Sequence, residues 1–160
     1  MNIKDLKDIA NKLKGRPISG RKLFIYCGNI GKIKEIIPKE LLKEIDLLDF
    51  ETNSVDSDEN IVRKSFRKNL KLELENFLKT LEDQQVLIIK NAILFYRYKI
   101  SIAPLYSHYL NDRTMCIIHL PKIVEIKKLP EYVICNSDEP INYFKDILPE
   151  EHKKNIIMED

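Results

Sequence analysis

Apolar residues near the start of the chain recur at spacings of three and four positions. Residues 3 to 14 (IKDLKDIANKLK) carry Ile, Leu, Ile, Ala and Leu at these spacings, which is the pattern of one buried helix face. After a segment broken by Gly and Pro, KLFIYC (22–27) is a nearly continuous apolar run, typical of a strand buried on both faces of a parallel sheet. The pattern predicts a helix followed by a buried strand.

The following segments predict two helices on either side of a short strand. PKELLKEI (38–45) begins with a proline suited to the first turn of a helix, and LLDF (47–50) is apolar enough for a short second strand. A polar, turn-forming segment, TNSVDSDEN (52–60), then leads into a long helix from about residue 60 to 82. The predicted inner face of that helix consists of Val62, Phe66, Leu70, Leu74, Phe77, Leu78 and Leu81.

Three further apolar runs predict strands in the second half of the chain: QVLIIKN (85–91), TMCIIHLP (114–121) and EYVICN (131–136). ISIAPLYSHYL (100–110) predicts a short helix or helix-like connection. Because strands alternate with helices, we expect a three-layer α/β domain with a mainly parallel five-stranded sheet. At 160 residues the chain is expected to be one domain, with an N-terminal helix and connector (1–20), a core (21–147) and a C-terminal helical tail (148–160).

Composition adds that the protein is an ordinary globular one. Hydrophobic residues make up 44% and charged residues 32% of the chain, and no apolar run approaches the roughly 20 residues that span a membrane. The N-terminal segment is too polar for a secretory signal, so we expect a cytoplasmic protein without membrane contact. Cys27, Cys116 and Cys135 each lie in an apolar run, which predicts buried thiols and no metal site.

Basic residues form a stripe along the predicted long helix. The stripe consists of Arg63, Lys64, Arg67, Lys68 and Lys71. A solvated helix face is the first interpretation, and a surface that binds DNA or an acidic partner is the alternative.

Polar residues that follow the strands are the first candidates for a binding site, because ligands of parallel sheets lie beyond the carboxyl ends of the strands. After the first strand, GNIGKI (28–33) contains Gly28, Gly31 and Lys32. A Walker A loop, G-x-x-x-x-G-K-[ST], is two residues longer and ends in a hydroxyl that holds Mg²⁺. Here Ile33 takes the place of that hydroxyl, which predicts a degenerate loop that binds a phosphate at most, or is only a structural turn.

The second half of a nucleotide site is also altered. In a P-loop enzyme, the apolar strand of the second motif ends in an Asp linked to Mg²⁺. In this chain VLII is followed by Lys90 and Asn91. We therefore predict Gly28, Gly31, Lys32 and Asn91 as a degenerate nucleotide or phosphate site, with no catalytic residue; ATP and Mg²⁺ are doubtful cofactors.

An alternative chemistry is a small Mg²⁺-dependent nuclease of the D…ExK type. IVEIKK (123–128) supplies Glu125 and Lys127, and Asp112 stands 13 residues before the glutamate. Carboxylates would hold the metal and the lysine would assist the attacking water. E-x-K also recurs by chance in a Lys-rich chain, where it is a solvated strand or loop.

The order of segments is similar to that of a known family. The degenerate loop, VLIIKNAILF, LNDRTMCIIHLP and EYVICNSDEPINYF together resemble the small P-loop protein of BREX phage-exclusion systems, the BrxF-type family. NAILF matches the segment after that family's second motif, Asp112 through Pro121 resembles its N-R-T segment, and Tyr132 through Tyr143 follows its tail. The resemblance covers roughly residues 20 to 146.

This resemblance implies a P-loop-like sheet of order 5-1-4-3-2 and a place in an antiphage complex. The family's nucleotide-binding positions correspond to Gly28, Gly31 and Lys32, but its Ser or Thr is Ile33 and its Asp is Lys90. The expected function is a non-catalytic accessory or scaffold subunit that binds protein partners and, through its basic helix, DNA. A nucleotide-binding sensor without hydrolysis, acting through Lys32, is a further alternative.

Overall fold

A computed structural model of the protein describes residues 1–50, 59–80, 85–122 and 138–159. Its centre is a five-stranded sheet in which neighbouring strands are parallel and follow the order β2-β3-β4-β1-β5. The strands are β1 Lys22–Cys27, β2 Leu42–Asp46, β3 Gln85–Lys90, β4 Thr114–Leu120 and β5 Ile156–Met158. Read from the other edge, this is the order 5-1-4-3-2 that the P-loop resemblance implies, so the predicted fold class is confirmed.

Helices connect these strands. They are α1 Ile3–Gly15, α2 Ile30–Ile36, α3 Glu59–Lys79, α4 Ile93–Arg97, α5 Asp138–Ile147 and α6 Glu150–Lys153, with a π-helical turn at Leu105–Tyr109. The predictions of the first helix, the long helix and the helix-like connection at 100–110 are confirmed. Within the described ranges, no helix has both the length and the apolar character that a membrane crossing requires.

The sheet separates two apolar cores, which makes the domain three-layered. On one face, Phe24, Val86 and Ile117 pack with Leu6 of α1 and Ile33 of α2. On the other face, neighbouring positions of the same strands pack against α3, α4 and α5, where the core includes Ile25, Ile89, Phe66, Phe95 and Phe144. Successive strand residues point to opposite faces, so a strand with apolar residues at every position fits between two helical layers.

The prediction of a helix at 38–45 and a strand at 47–50 is wrong. The chain makes a 3₁₀ turn at Lys39–Leu41 and then forms β2, and LLDF is a second 3₁₀ turn, Leu47–Phe50. Leu, Lys and Glu favour a helix intrinsically, but pairing with β3 along Leu42–Asp46 overrides that preference. Since β2 is an edge strand, its charged residues need no burial.

The strand beside β1 comes from the C-terminal segment, and the strand predicted at 131–136 stays a prediction. EYVICN (131–136) and Cys135 lie outside the described residues, and the sheet position beside β1 is occupied by Ile156–Met158. Among the described residues of the predicted helical tail (148–160), only α6 is helical, and Ile156–Met158 is a strand. Asn155 holds this segment beside β1. Its side-chain amide donates to Leu23 O at 3.0 Å, and its backbone carbonyl accepts from Ile25 N–H at 3.1 Å.

Two of the three cysteines can be placed. Cys116 in β4 is fully buried, and burial raises the pKa of its thiol far above the ordinary range. Cys27 at the end of β1 is partly exposed. The predicted burial is thus confirmed for Cys116 and is only partial for Cys27.

Candidate functional site

Gly28 and Asn29 make a tight turn between β1 and α2. Gly28 N–H donates to Leu120 O at 3.3 Å, and His119 Nε2 donates to Gly28 O at 2.8 Å. Asn29 then caps α2, since its Oδ1 accepts from Gly31 N–H at 2.7 Å. These two hydrogen bonds with residues at the end of β4 hold the turn against the carboxyl ends of the strands.

A carboxylate from the other end of the chain occupies this turn. Glu159, the residue after β5, forms an ion pair through Oε1 with Lys32 Nζ. Its Oε2 accepts from Tyr26 OH at 2.7 Å and from Asn29 N–H at 2.9 Å, and lies 3.8 Å from Lys122 Nζ. The Glu159 side chain is only 14% exposed. The donors that face the loop therefore converge on one internal anion.

These contacts keep Glu159 ionised. The hydrogen bond from Lys32 lowers the pKa of Glu159 to about 2, with burial acting in the opposite direction and the Asn29 N–H and Tyr26 OH adding to the lowering. Hydrogen bonds to a charged carboxylate favour that charged form. The contact between Lys32 and Glu159 is thus a true ion pair at neutral pH.

The space around Glu159 explains Gly28. A Cβ atom on Gly28 would lie 2.5 Å from Glu159 Oε2 and 2.6 Å from Tyr26 OH, both too close for van der Waals contact. Gly28 does not have the positive φ that favours glycine, so the requirement is for room. A Cβ on Gly31 would meet only Asn29 Oδ1, at 3.0 Å.

At the end of β3, Lys90 faces carboxylates of the neighbouring strand β2. Its Nζ lies 3.3 Å from Glu44 Oε2 and 3.8 Å from Asp46 Oδ2. Glu44 also pairs with Lys34 of α2 at 2.6 Å. Burial raises the pKa of Glu44, but the hydrogen bonds and charges of Lys34 and Lys90 outweigh it, and the net pKa is lowered. Lys90 is thus a cation held by two carboxylates at the end of β3.

Asn91 follows Lys90 and contacts the end of β2. Its Nδ2 donates to Asp46 Oδ1 at 2.7 Å. Gly28, Gly31 and Lys32 thus lie in one loop, whereas the Asn91 side chain binds Asp46 at the end of β2.

The alternative nuclease triad cannot be assembled from the described residues. Asp112 is exposed in the turn before β4, at the opposite end of the sheet from Lys32. Glu125 and Lys127 lie outside the described residues. The nuclease hypothesis stays a prediction.

The basic stripe is exposed on α3. Lys64, Arg67, Lys68 and Lys71 are all solvent-exposed, and Lys71 lies 3.9 Å from Glu75 one turn further on. Arg63 belongs to the same helix. The arrangement supplies a cationic surface on the outer side of one helical layer.

Sequence reasoning missed the residues that occupy the site. The sequence pattern predicts a strand at Tyr26, no element at Lys122 and a helical tail at Glu159. The short apolar run IIM followed by an acid was the one available signal, because it repeats in brief the pattern of an apolar strand that ends in polar residues.

Comparisons with known proteins give little beyond this geometry. No protein-family model matches the chain, and no curated protein matches it significantly. One solved structure, the Aeropyrum pernix ORC2 protein in its ADP form, is similar at 11% sequence identity and a TM-score of 0.44. The match covers 98% of this chain and 46% of that one, so the chain spans less than half of that protein's length. A likeness at this level assigns no function.

Proposed function

We propose that the chain is a non-catalytic, P-loop-derived accessory or scaffold subunit of a prokaryotic antiphage complex of the BREX type. The observation that carries the non-catalytic part is that two lysines at the carboxyl ends of the strands, Lys32 and Lys90, form ion pairs with carboxylates of the chain itself. Glu159 occupies the place of a bound phosphate beside Lys32, and Lys90 occupies the place of the metal-linked Asp.

Ile33 and Lys90 replace two residues that act in the same step of P-loop catalysis. A P-loop enzyme holds Mg²⁺ between the hydroxyl that follows its loop lysine and the acid at the end of the second-motif strand. Here Ile33 is fully buried in the apolar core under α2, and it carries no oxygen. Lys90 brings a positive charge next to the place of the ion. Neither side chain can ligate Mg²⁺, so the two positions that hold the ion in a P-loop enzyme supply no ligand here.

The place in a defence complex rests on the resemblance over residues 20 to 146. The strand order agrees with what that resemblance implies, and two surfaces of the described residues support partner binding. One is the basic face of α3. The other is a pocket of about 350 Å³ between the α4–β4 connection and α5, lined by Lys99, Tyr106 and Tyr143 among others.

The non-catalytic part is tested by an ATPase assay on the purified chain with Mg²⁺. We expect no turnover above a buffer blank in the wild-type chain or in Lys32→Ala. Turnover that Lys32→Ala abolishes would show that the loop is an active site, and would overturn the proposal.

The accessory role is tested in cells that carry the gene and its neighbours. We expect the tagged chain to co-purify with the large subunits of a defence complex, and phage plating to rise when the gene is deleted. Charge reversal of Lys64, Arg67 and Lys68 is compared with reversal of Lys4, Lys7 and Lys12, which are equally exposed on α1. Unchanged phage plating on deletion would reject the antiphage role.

A further inference from the structure

Four polar groups converge on the Glu159 carboxylate, three of them within hydrogen-bonding distance and Lys122 Nζ at 3.8 Å, and they form a site suited to an oxyanion. Two are ammonium groups, Lys32 and Lys122; the third is the Tyr26 hydroxyl, and the fourth is the backbone N–H of Asn29. Tyr26 is fully buried and only its hydroxyl reaches the carboxylate. Ammonium, hydroxyl and backbone N–H donors are the groups that proteins use to hold phosphate oxygens.

The carboxylate that fills the site is carried by a short element. β5 pairs with β1 over three residues at the edge of the sheet. Ile157 is buried, whereas Met158 is 54% exposed, and Glu159 is tied to the backbone through its N–H, which donates to Cys27 O at 2.9 Å. Rotation of the Glu159 side chain, or release of its last backbone bond, opens the site while Ile157 stays in the core.

We propose that Tyr26, Asn29 N–H, Lys32 and Lys122 form an oxyanion-binding site that the chain's own Glu159 occupies, and that a phosphate-bearing ligand binds by displacing this carboxylate. This proposal rests on the proposed non-catalytic function and describes how ligand binding at the loop of residues 28–33 is regulated. A phosphate offers more acceptor oxygens and more negative charge to two lysines than a single carboxylate does. The room at Gly28, now filled by Glu159 Oε2, becomes available to it.

Occupation of the site by Glu159 lowers its affinity for a free phosphate ligand. An anion on the same chain acts at an effective concentration of roughly millimolar or more, so a free ligand must compete with it. Removal of the carboxylate is therefore expected to raise the affinity for phosphate by at least about tenfold. The site is closed by competition, and a sufficient concentration of a phosphate-bearing ligand opens it.

Calorimetric titration with pyrophosphate at low salt, without Mg²⁺, tests the proposal. Four proteins are compared: wild type, Glu159→Ala, Glu159→Ala with Lys32→Ala, and Asp146→Ala as a control that removes an exposed acid from α5. We expect Glu159→Ala to bind at least tenfold more tightly than wild type and the control, and the double variant to lose that gain. If Glu159→Ala does not fold, Glu159→Gln replaces it, because the amide keeps the shape and removes the charge.

Each outcome decides one question. Equal affinity of wild type and a folded Glu159 variant, or a gain that survives Lys32→Ala, overturns the oxyanion site. Adenosine and ATP titrated alongside separate the ligand classes: binding of ATP and pyrophosphate without adenosine identifies the phosphates as the recognised part. ATP hydrolysis by any variant would instead overturn the non-catalytic function and leave the binding site standing.

Discussion

Asn91 donates a 2.7 Å hydrogen bond from its side chain to the Asp46 carboxylate while its backbone adopts a left-handed φ of 56°. Asp46 Oδ1 also accepts from Leu48 N–H at 3.0 Å, so the same oxygen fixes the turn after β2. The relationship ties the end of β3 to the end of β2. It assigns Asn91 a structural task at the edge where sequence reasoning placed a nucleotide contact.

Replacement of Asn91 separates its backbone role from its side-chain role. We expect Asn91→Gly to lose the bond to Asp46, which costs about 1 kcal/mol of unfolding free energy. Asn91→Ala loses the same bond and must also hold the left-handed backbone, which costs roughly a further 1 kcal/mol. Urea denaturation of both variants measures the difference. An alanine variant as stable as the glycine variant would contradict the backbone role.

Gly28 and Gly31 form a second matched pair. We expect Gly28→Ala to lower the unfolding free energy by about 2 kcal/mol, because its Cβ would overlap both Glu159 and the buried hydroxyl of Tyr26. Gly31→Ala is expected to stay within about 1 kcal/mol of wild type, since alanine favours the helix by up to about that amount and Asn29 Oδ1 needs to move only slightly. Thermal and urea unfolding of the two variants provide the measurement. Equal losses would show that the space at Gly28 has no special role.

The central strands were predictable from the apolar pattern and the sheet order from the family resemblance, whereas the two edge strands were not predictable. β1, β3 and β4 are nearly continuous apolar runs, because both faces of the central strands are covered, and such runs are visible without a structure. β2 has charges at Lys43, Glu44 and Asp46, and its identity comes from pairing with β3. β5 has three residues, too few for a periodicity to be read.

The candidate site, too, was predictable from sequence only in part. Lys32 and the replacement at Lys90 were found because they stand at fixed positions after apolar strands. Glu159 was not, because its contact with Lys32 joins residues that are 127 positions apart in the chain and depends on where β5 adds to the sheet. Local pattern carries no information on such a pair.

The ion pair of Glu159 predicts a defined acid response. The folded state lowers its pKa from an ordinary value of 4.5 to about 2, so its contribution to stability is complete above pH 4.5 and is lost as pH falls towards 2. Glu159→Gln removes that titration. We therefore expect the stability difference between wild type and Glu159→Gln to be constant above this window and to shrink steadily within it.

Urea denaturation across that pH range measures the difference, and Asp146→Gln serves as the control for loss of an exposed carboxylate. Glu40 and Glu44 also have lowered pKa values, but they titrate equally in all three proteins and cancel. A wild-type advantage over Glu159→Gln that is independent of pH would show that Glu159 stabilises the fold through its shape and not through its charge.

The exposed basic face of α3 predicts salt-dependent DNA binding. Lys64, Arg67 and Lys68 are solvent-exposed, whereas Lys71 has Glu75 nearby, so the first three are the stronger candidates for phosphate contacts. Each phosphate neutralised on duplex DNA contributes about −0.9 to the slope of log K against log salt. We expect wild type to bind a random duplex with a slope of about −3, from three contacts. Reversal of the three charges is expected to abolish binding, while reversal of Lys4, Lys7 and Lys12 on α1 leaves it intact. Binding that is insensitive to salt, or lost equally in both triple variants, would reject this face as the DNA surface.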